Sequence, residues 1–181
     1  NELLRFFPSG FFFGSGYFWD MDSLSRNPSL NFDLVAKNPD GFDGHPWNMN
    51  LLSKNPSLDF DFVRRNPDGL SSGPWDMEAL SSHTKLSWNF VREHPNGLSS
   101  RNWNMKILVS RPDFSWDLVF EYPEGLSSHP WKLKCLISHP NFAWDLLVKY
   151  PNGLGDKPWD IDTLSYHPNL PWDLVLQNRN F

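Results

Sequence analysis

The chain has 181 residues, 16% of them aromatic, with ten Trp, fifteen Phe and a mean hydropathy of −0.51. A net charge of −5 gives no overall basic field of the kind a phosphate backbone requires. The single cysteine, Cys135, excludes an internal disulfide, and no apolar run approaches the ~18 residues of a membrane span.

Residues 1–11, NELLRFFPSGF, align with residues 32–42, FDLVAKNPDGF, so the chain opens on the second half of a repeating unit. The aromatic and glycine stretch FFFGSGYF completes a leading segment, 1–18, before Trp19. From there Trp19, Trp47, Trp75, Trp103, Trp131 and Trp159 recur at one constant interval, a 28-residue period without drift. A second column, Phe32, Phe60, Trp88, Trp116, Trp144 and Trp172, keeps the same interval at a fixed phase behind the first. Two aromatic columns in phase are the signature of a tandem array, here 19–46, 47–74, 75–102, 103–130, 131–158 and 159–181, forming one body over 1–181.

Each unit reads as two short helices. The first carries Trp, usually an acid or amide, an aliphatic residue and, three residues on, Leu; in most units it ends at a proline (Pro28, Pro56, Pro112, Pro140, Pro168), with Thr84 the exception. The second ends at Pro39, Pro67, Pro95, Pro123 or Pro151, and a glycine follows two residues later. Pro46, Pro74, Pro130 and Pro158 suit a first helical turn, where Asp20, Asp76 and Asp160 are also expected. Asp33, Asp61, Asp117, Asp145 and Asp173 are expected in the first turn of the second helix. The residue before each proline is pushed out of the helical region, which stops the helix.

Helices of about two turns are unstable alone, so stacking must hold them. The expected fold is therefore all-α: an α-solenoid of six two-helix repeats plus an N-terminal half repeat. At interaxial spacings of roughly 8–10 Å it would be on the order of 50–60 Å long. Both aromatic columns are expected as core ladders rather than a ligand cage, joined by Leu70, Leu98, Leu126 and Leu154 after the glycines. Neither end shows the polar replacement of a capping repeat, so partners or further repeats are expected at both ends.

Catalytic and metal chemistry find little support. His83, His139 and His167 share one column with Asn27, Asn55 and Arg111, where helix capping or a solvated contact is expected; His139 with His167 is the only candidate metal pair. Cys135 aligns with Ala79, Ile107 and Thr163 as a buried filler. The Ser pairs at 71–72, 99–100 and 127–128 read as turn residues, and no phosphate-cradling loop is present. No enzyme, cofactor or metal is expected.

One outward column reads Ala36, Arg64, Arg92, Phe120, Val148 and Leu176. With Tyr122 and Tyr150 its last three members form a candidate apolar interaction surface; the alternative is half-burial by the next unit. Arg64, Arg65, Arg92 and Lys54 supply a nucleic-acid alternative, opposed by the acidic total.

The stretches NPSLNFDLVAKNPD at 27–40, NPSLDFDFVRRNPDG at 55–69 and HPNLPWDLVLQN at 167–178 resemble the Asn-Pro/Trp repeat arrays encoded in many copies by giant (nucleocytoplasmic large) DNA viruses. The spacing between aromatics and that from Trp to Pro match, over essentially the whole chain. The linker departs: the family's tight Asp-Lys-Pro is here Asn-Gly-Leu-Ser-Ser-x-Pro, four residues longer. The resemblance implies a viral, non-catalytic structural or interaction protein, in the virion as a minor capsid component or in the host cytoplasm as an adaptor.

Overall fold

A computed structural model describes residues 19–126 and 129–177. The expected half repeat in 1–18, the Ser pair at 127–128 and the tail from 178 lie outside the described residues.

Among the described residues there are twelve short helices and no strand. They are α1 (Met21–Arg26), α2 (Phe32–Lys37), α3 (Met49–Ser53), α4 (Phe60–Arg65), α5 (Met77–Ser82), α6 (Trp88–Glu93), α7 (Met105–Ser110), α8 (Asp117–Glu121), α9 (Leu133–Ile137), α10 (Asp145–Lys149), α11 (Ile161–Ser165) and α12 (Trp172–Gln177). The odd-numbered helices start at one constant interval, and each packs on the next odd-numbered one. The fold is all-α and repeat-like.

The helix starts differ from expectation. Asp20, Asn48, Asp76, Asn104 and Asp160 are extended N-caps rather than first-turn residues. Asp76 Oδ1, for example, accepts from the N–H groups of Glu78 at 3.0 Å and Ala79 at 3.2 Å. A side-chain oxygen satisfies free N–H groups best from just outside the helix, so the cap position wins over the dipole position. Each Trp of the first column therefore precedes its helix, and Pro46, Pro74, Pro130 and Pro158 lie in the lead-in. In α2, α4 and α6 the caps are Asn31, Asp59 and Ser87, which places Asp33 and Asp61 in the first turn as expected.

Lys132 breaks the rule in its column. It occupies the N-cap of α9 without a capping bond and sets a cation against the positive helix end. Lys132→Asp is expected to stabilise the protein by about 1 kcal/mol, read as a rise in urea midpoint. An unchanged midpoint would show that the cap column carries no stability here.

After α2, α4, α6, α8 and α10 the chain reverses over glycine. Gly97 has φ +73, and a Cβ there would lie 2.0 Å from Arg101 O. A tight turn follows: Leu98 N–H donates to Arg101 O at 3.0 Å and Arg101 N–H returns to Leu98 O at 2.8 Å, with Ser99 and Ser100 both left-handed.

One core cluster runs from Met21 to Leu164. The first Trp column is its spine: Trp47, Trp75, Trp103, Trp131 and Trp159 are buried. Each indole N–H donates to the carbonyl nine residues upstream, at the end of the preceding even helix: Asn38, Asn66, His94, Tyr122 and Tyr150, at 2.6–2.7 Å. Trp19 is exposed. The second column is not a core ladder throughout: Phe32 is buried, Phe60, Trp88, Trp116 and Trp144 are half-buried, and Trp172 is exposed.

A third set completes the core. Three columns supply one Phe and two Leu ahead of each spine Trp: Leu30, Leu34 and Phe42; Leu58, Phe62 and Leu70; Leu86, Phe90 and Leu98; Phe114, Leu118 and Leu126; Phe142, Leu146 and Leu154. The Phe changes column but always meets the next Trp, with centroids at 5.5 Å for Phe42–Trp47 and 6.0–6.2 Å for Phe62–Trp75, Phe90–Trp103, Phe114–Trp131 and Phe142–Trp159. From Phe62 onward it also meets an upstream aromatic, as in Phe60–Phe90 at 5.0 Å and Trp88–Phe114 at 5.4 Å. Edge-on pairs of this kind add to the area term.

Candidate interaction surface

The histidine column is an internal stitch, not a solvated contact. His83, His139 and His167 are buried. Each ring Nε2 bonds the equivalent carbonyl of the preceding unit: Asn55 O at 3.0 Å, Arg111 O at 3.1 Å and His139 O at 3.1 Å. Each Nδ1 accepts the N–H two residues on, from Lys85, Asn141 and Asn169 at 3.1 Å. Asn55 makes the same pattern, donating to Asn27 O at 3.0 Å and accepting from Ser57 N–H at 2.8 Å. Arg111 donates to His83 O at 2.9 Å, and beside it the Asp113 carboxyl is held below the usual carboxylate range. Both ring nitrogens of His139 and His167, the candidate metal pair, are taken up by backbone bonds, and no group of three or more metal-ligating side chains occurs among the described residues.

At His83 this geometry calls for a neutral ring carrying its proton on Nε2. Burial, only partly opposed by the Asn55 carbonyl, pushes the His83 pKa below its ordinary 6.5, with Lys85 and Arg111 adding in the same direction. The unfolded chain therefore binds the proton more readily, and stability falls as pH drops below about 6.5 through the depressed folded value. His83→Asn copies the Asn55 arrangement and is expected to shrink the loss of urea midpoint between pH 7.5 and 5. An identical loss in the variant would remove His83 from the account.

A serine stitch lies beside the histidines. Ser25, Ser53 and Ser81 are fully buried, and their Oγ atoms accept the N–H of Asn48, Asp76 and Asn104 at 3.0–3.1 Å. Val109 and Ile137 replace serine in the next two periods. In the turns, Ser71 Oγ and Ser99 Oγ donate to Pro39 O and Pro67 O at 3.0 Å, so these serines also bond across a period.

The outward column is settled by its partners. Arg64 Nε donates to Glu93 Oε2 at 3.0 Å, and Arg92 Nε to Glu121 Oε2 at 2.9 Å, each partner lying on the next even helix. At Phe120 the pairing persists with changed chemistry: the equivalent partner is Lys149, whose Nζ sits 5.0 Å from the ring centroid. Tyr150 Oη donates to Phe120 O at 3.3 Å. Phe120, Tyr122 and Tyr150 are therefore half-buried between neighbours, whereas Val148 at 71% and Leu176 at 54% are exposed. Arg65 Nε donates to Asp61 O at 3.2 Å and Lys54 Nζ to Asn50 Oδ1 at 2.8 Å, so the four cations considered for nucleic acid are engaged within the protein.

Beyond Val148 the exposed apolar residues gather on α11 and α12: Ile161, Tyr166, Trp172, Val175 and Leu176. Shallow hollows of about 480 Å³ and 420 Å³ lie on the odd-helix face at α7 and α9. Cys135, half-buried, packs against the core and lines the second. Among the described residues no helix is long and apolar enough to cross a membrane. No protein-family model, curated protein or solved structure matches the chain.

Proposed function

We propose that this chain is a non-catalytic structural or interaction protein, an α-solenoid of six 28-residue two-helix repeats with an N-terminal half repeat, which bridges other proteins. The observation that carries this reading is the uncovered apolar surface of α10 to α12. Trp144 lies against Phe142 and His167, whereas Trp172, one period on, is exposed with Val175, Leu176 and Val148. Exposed large apolar side chains gathered on neighbouring helices suit a protein-binding surface. The buried polar side chains of the serine and histidine columns are consumed in bonds along the array, a use that suits a scaffold. The resemblance to giant-virus repeat arrays adds the setting: a minor capsid- or virion-associated protein.

Crosslinking mass spectrometry on purified particles tests this. Crosslinks from Lys149, Lys157 or Lys132 to capsid or internal virion proteins are the expected result. Absence from particles with abundance in infected-cell extract would replace the structural role with that of an adaptor in the host cytoplasm, a reading that the hollows at α7 and α9 favour.

A further inference from the structure

The odd-helix face changes sign part-way along. One outward column reads Asp22, Asn50, Glu78, Lys106, Lys134 and Asp162, so cations appear only on α7 and α9. Lys132 adds a third at the start of α9, where the same column otherwise holds Asp or Asn. None of the three ammonium groups forms an ion pair among the described residues; Lys134 lies within Coulombic reach of Asp160. The two hollows coincide with this change. Lys106 and Ile107 line the first, Lys134 and Cys135 the second, one period apart, with Pro112 and Pro140 at equivalent places. Among the odd-numbered helices only α9 starts without a side-chain capping bond, and departures of this kind from a column's own pattern gather at functional sites.

We propose that the α7–α9 face binds an extended acidic peptide of a partner protein, with carboxylates on Lys106, Lys132 and Lys134 and apolar side chains in the hollows beside Ile107 and Cys135. This specifies the partner chemistry for the interaction reading above. On a chain of net charge −5, a local basic face selects an acidic partner and steers its approach. Nucleic acid fits less well. Trp103 and Trp131, which lead into α7 and α9, are buried and offer no base-stacking platform, and Glu78 lines the first hollow.

The test uses the full chain and a fluorescein-labelled peptide of alternating Glu and Leu, with an alternating Lys and Leu peptide and oligothymidylate as comparisons. The acidic peptide is expected to bind, to weaken with added salt, and to slow alkylation of Cys135 by iodoacetamide. Lys132→Asp is expected to lower its affinity about tenfold while leaving the fold intact, and Lys106→Glu with Lys134→Glu to lower it further. Failure of the acidic peptide to bind, equal binding of oligothymidylate, or undiminished binding by Lys132→Asp would each overturn the proposal. None of these outcomes bears on the particle crosslinks, so the two readings fail separately.

Discussion

Gly97→Ala is expected to destabilise the protein by about 2–4 kcal/mol, among the largest losses a single methyl group can cause here. Two effects combine. The residue has φ +73, and its new Cβ would lie 2.0 Å from Arg101 O, a backbone atom that belongs to the tight turn and has no freedom to withdraw. Gly44→Ala separates them. Gly44 has φ +79 with nothing within 4 Å of the added carbon, so conformational strain alone, about 1 kcal/mol, is expected there. Urea denaturation followed by Trp fluorescence gives both values. Equal losses at the two sites would mean that the close backbone approach is not what demands glycine.

The second large effect is a rescue. Phe114→Leu removes the ring that meets Trp131, Trp88 and Trp116, and Leu118→Phe forces a ring into a fully buried site. Each change alone is expected to cost about 1–3 kcal/mol. Together they recreate the arrangement of Leu86 with Phe90, which already serves Trp103. The double variant is expected to fall within about 1.5 kcal/mol of the parent, giving a favourable coupling of about 1–3 kcal/mol in a double-mutant cycle. Additive losses would show that the two columns are not interchangeable homes for the ring.

The constant repeat interval is enough to place helices, their stops at proline and the burial of the first Trp column from Trp47 to Trp159, though not the exposure of Trp19, because each follows from residue type and phase alone. It does not separate a first-turn acid from an N-cap: Trp-Asp fits both registers until the capping bonds are seen, as at Asp76. The His83, His139 and His167 column reads as superficial because its other members, Asn27, Asn55 and Arg111, are polar. What His and Asn share is an acceptor and a donor on one short side chain, and that common trait signals a buried backbone stitch. The outward column misleads for a related reason. The change from Arg92 to Phe120 reads as a new surface, yet its partner on the next even helix changes with it, from Glu121 to Lys149. Pairs that cross a period are invisible when columns are read one at a time. Of the candidate surface, Val148 and Leu176 are exposed. Trp172, which the pattern places in the core, and Tyr166, which it leaves unremarked, are exposed as well.

The wandering phenylalanine also limits how such a gene can be shortened by recombination. Loss of residues 75–102 removes one period and leaves Phe62 and Phe114 each facing a Trp. Loss of residues 89–116 removes the same length in the same phase, but fuses Leu86 to Leu118 and leaves Trp131 without a ring. Breakpoints at the Trp boundaries are therefore tolerated at that junction, and breakpoints inside the helix pair are not, although each deletion removes one helix pair and keeps the rest in phase.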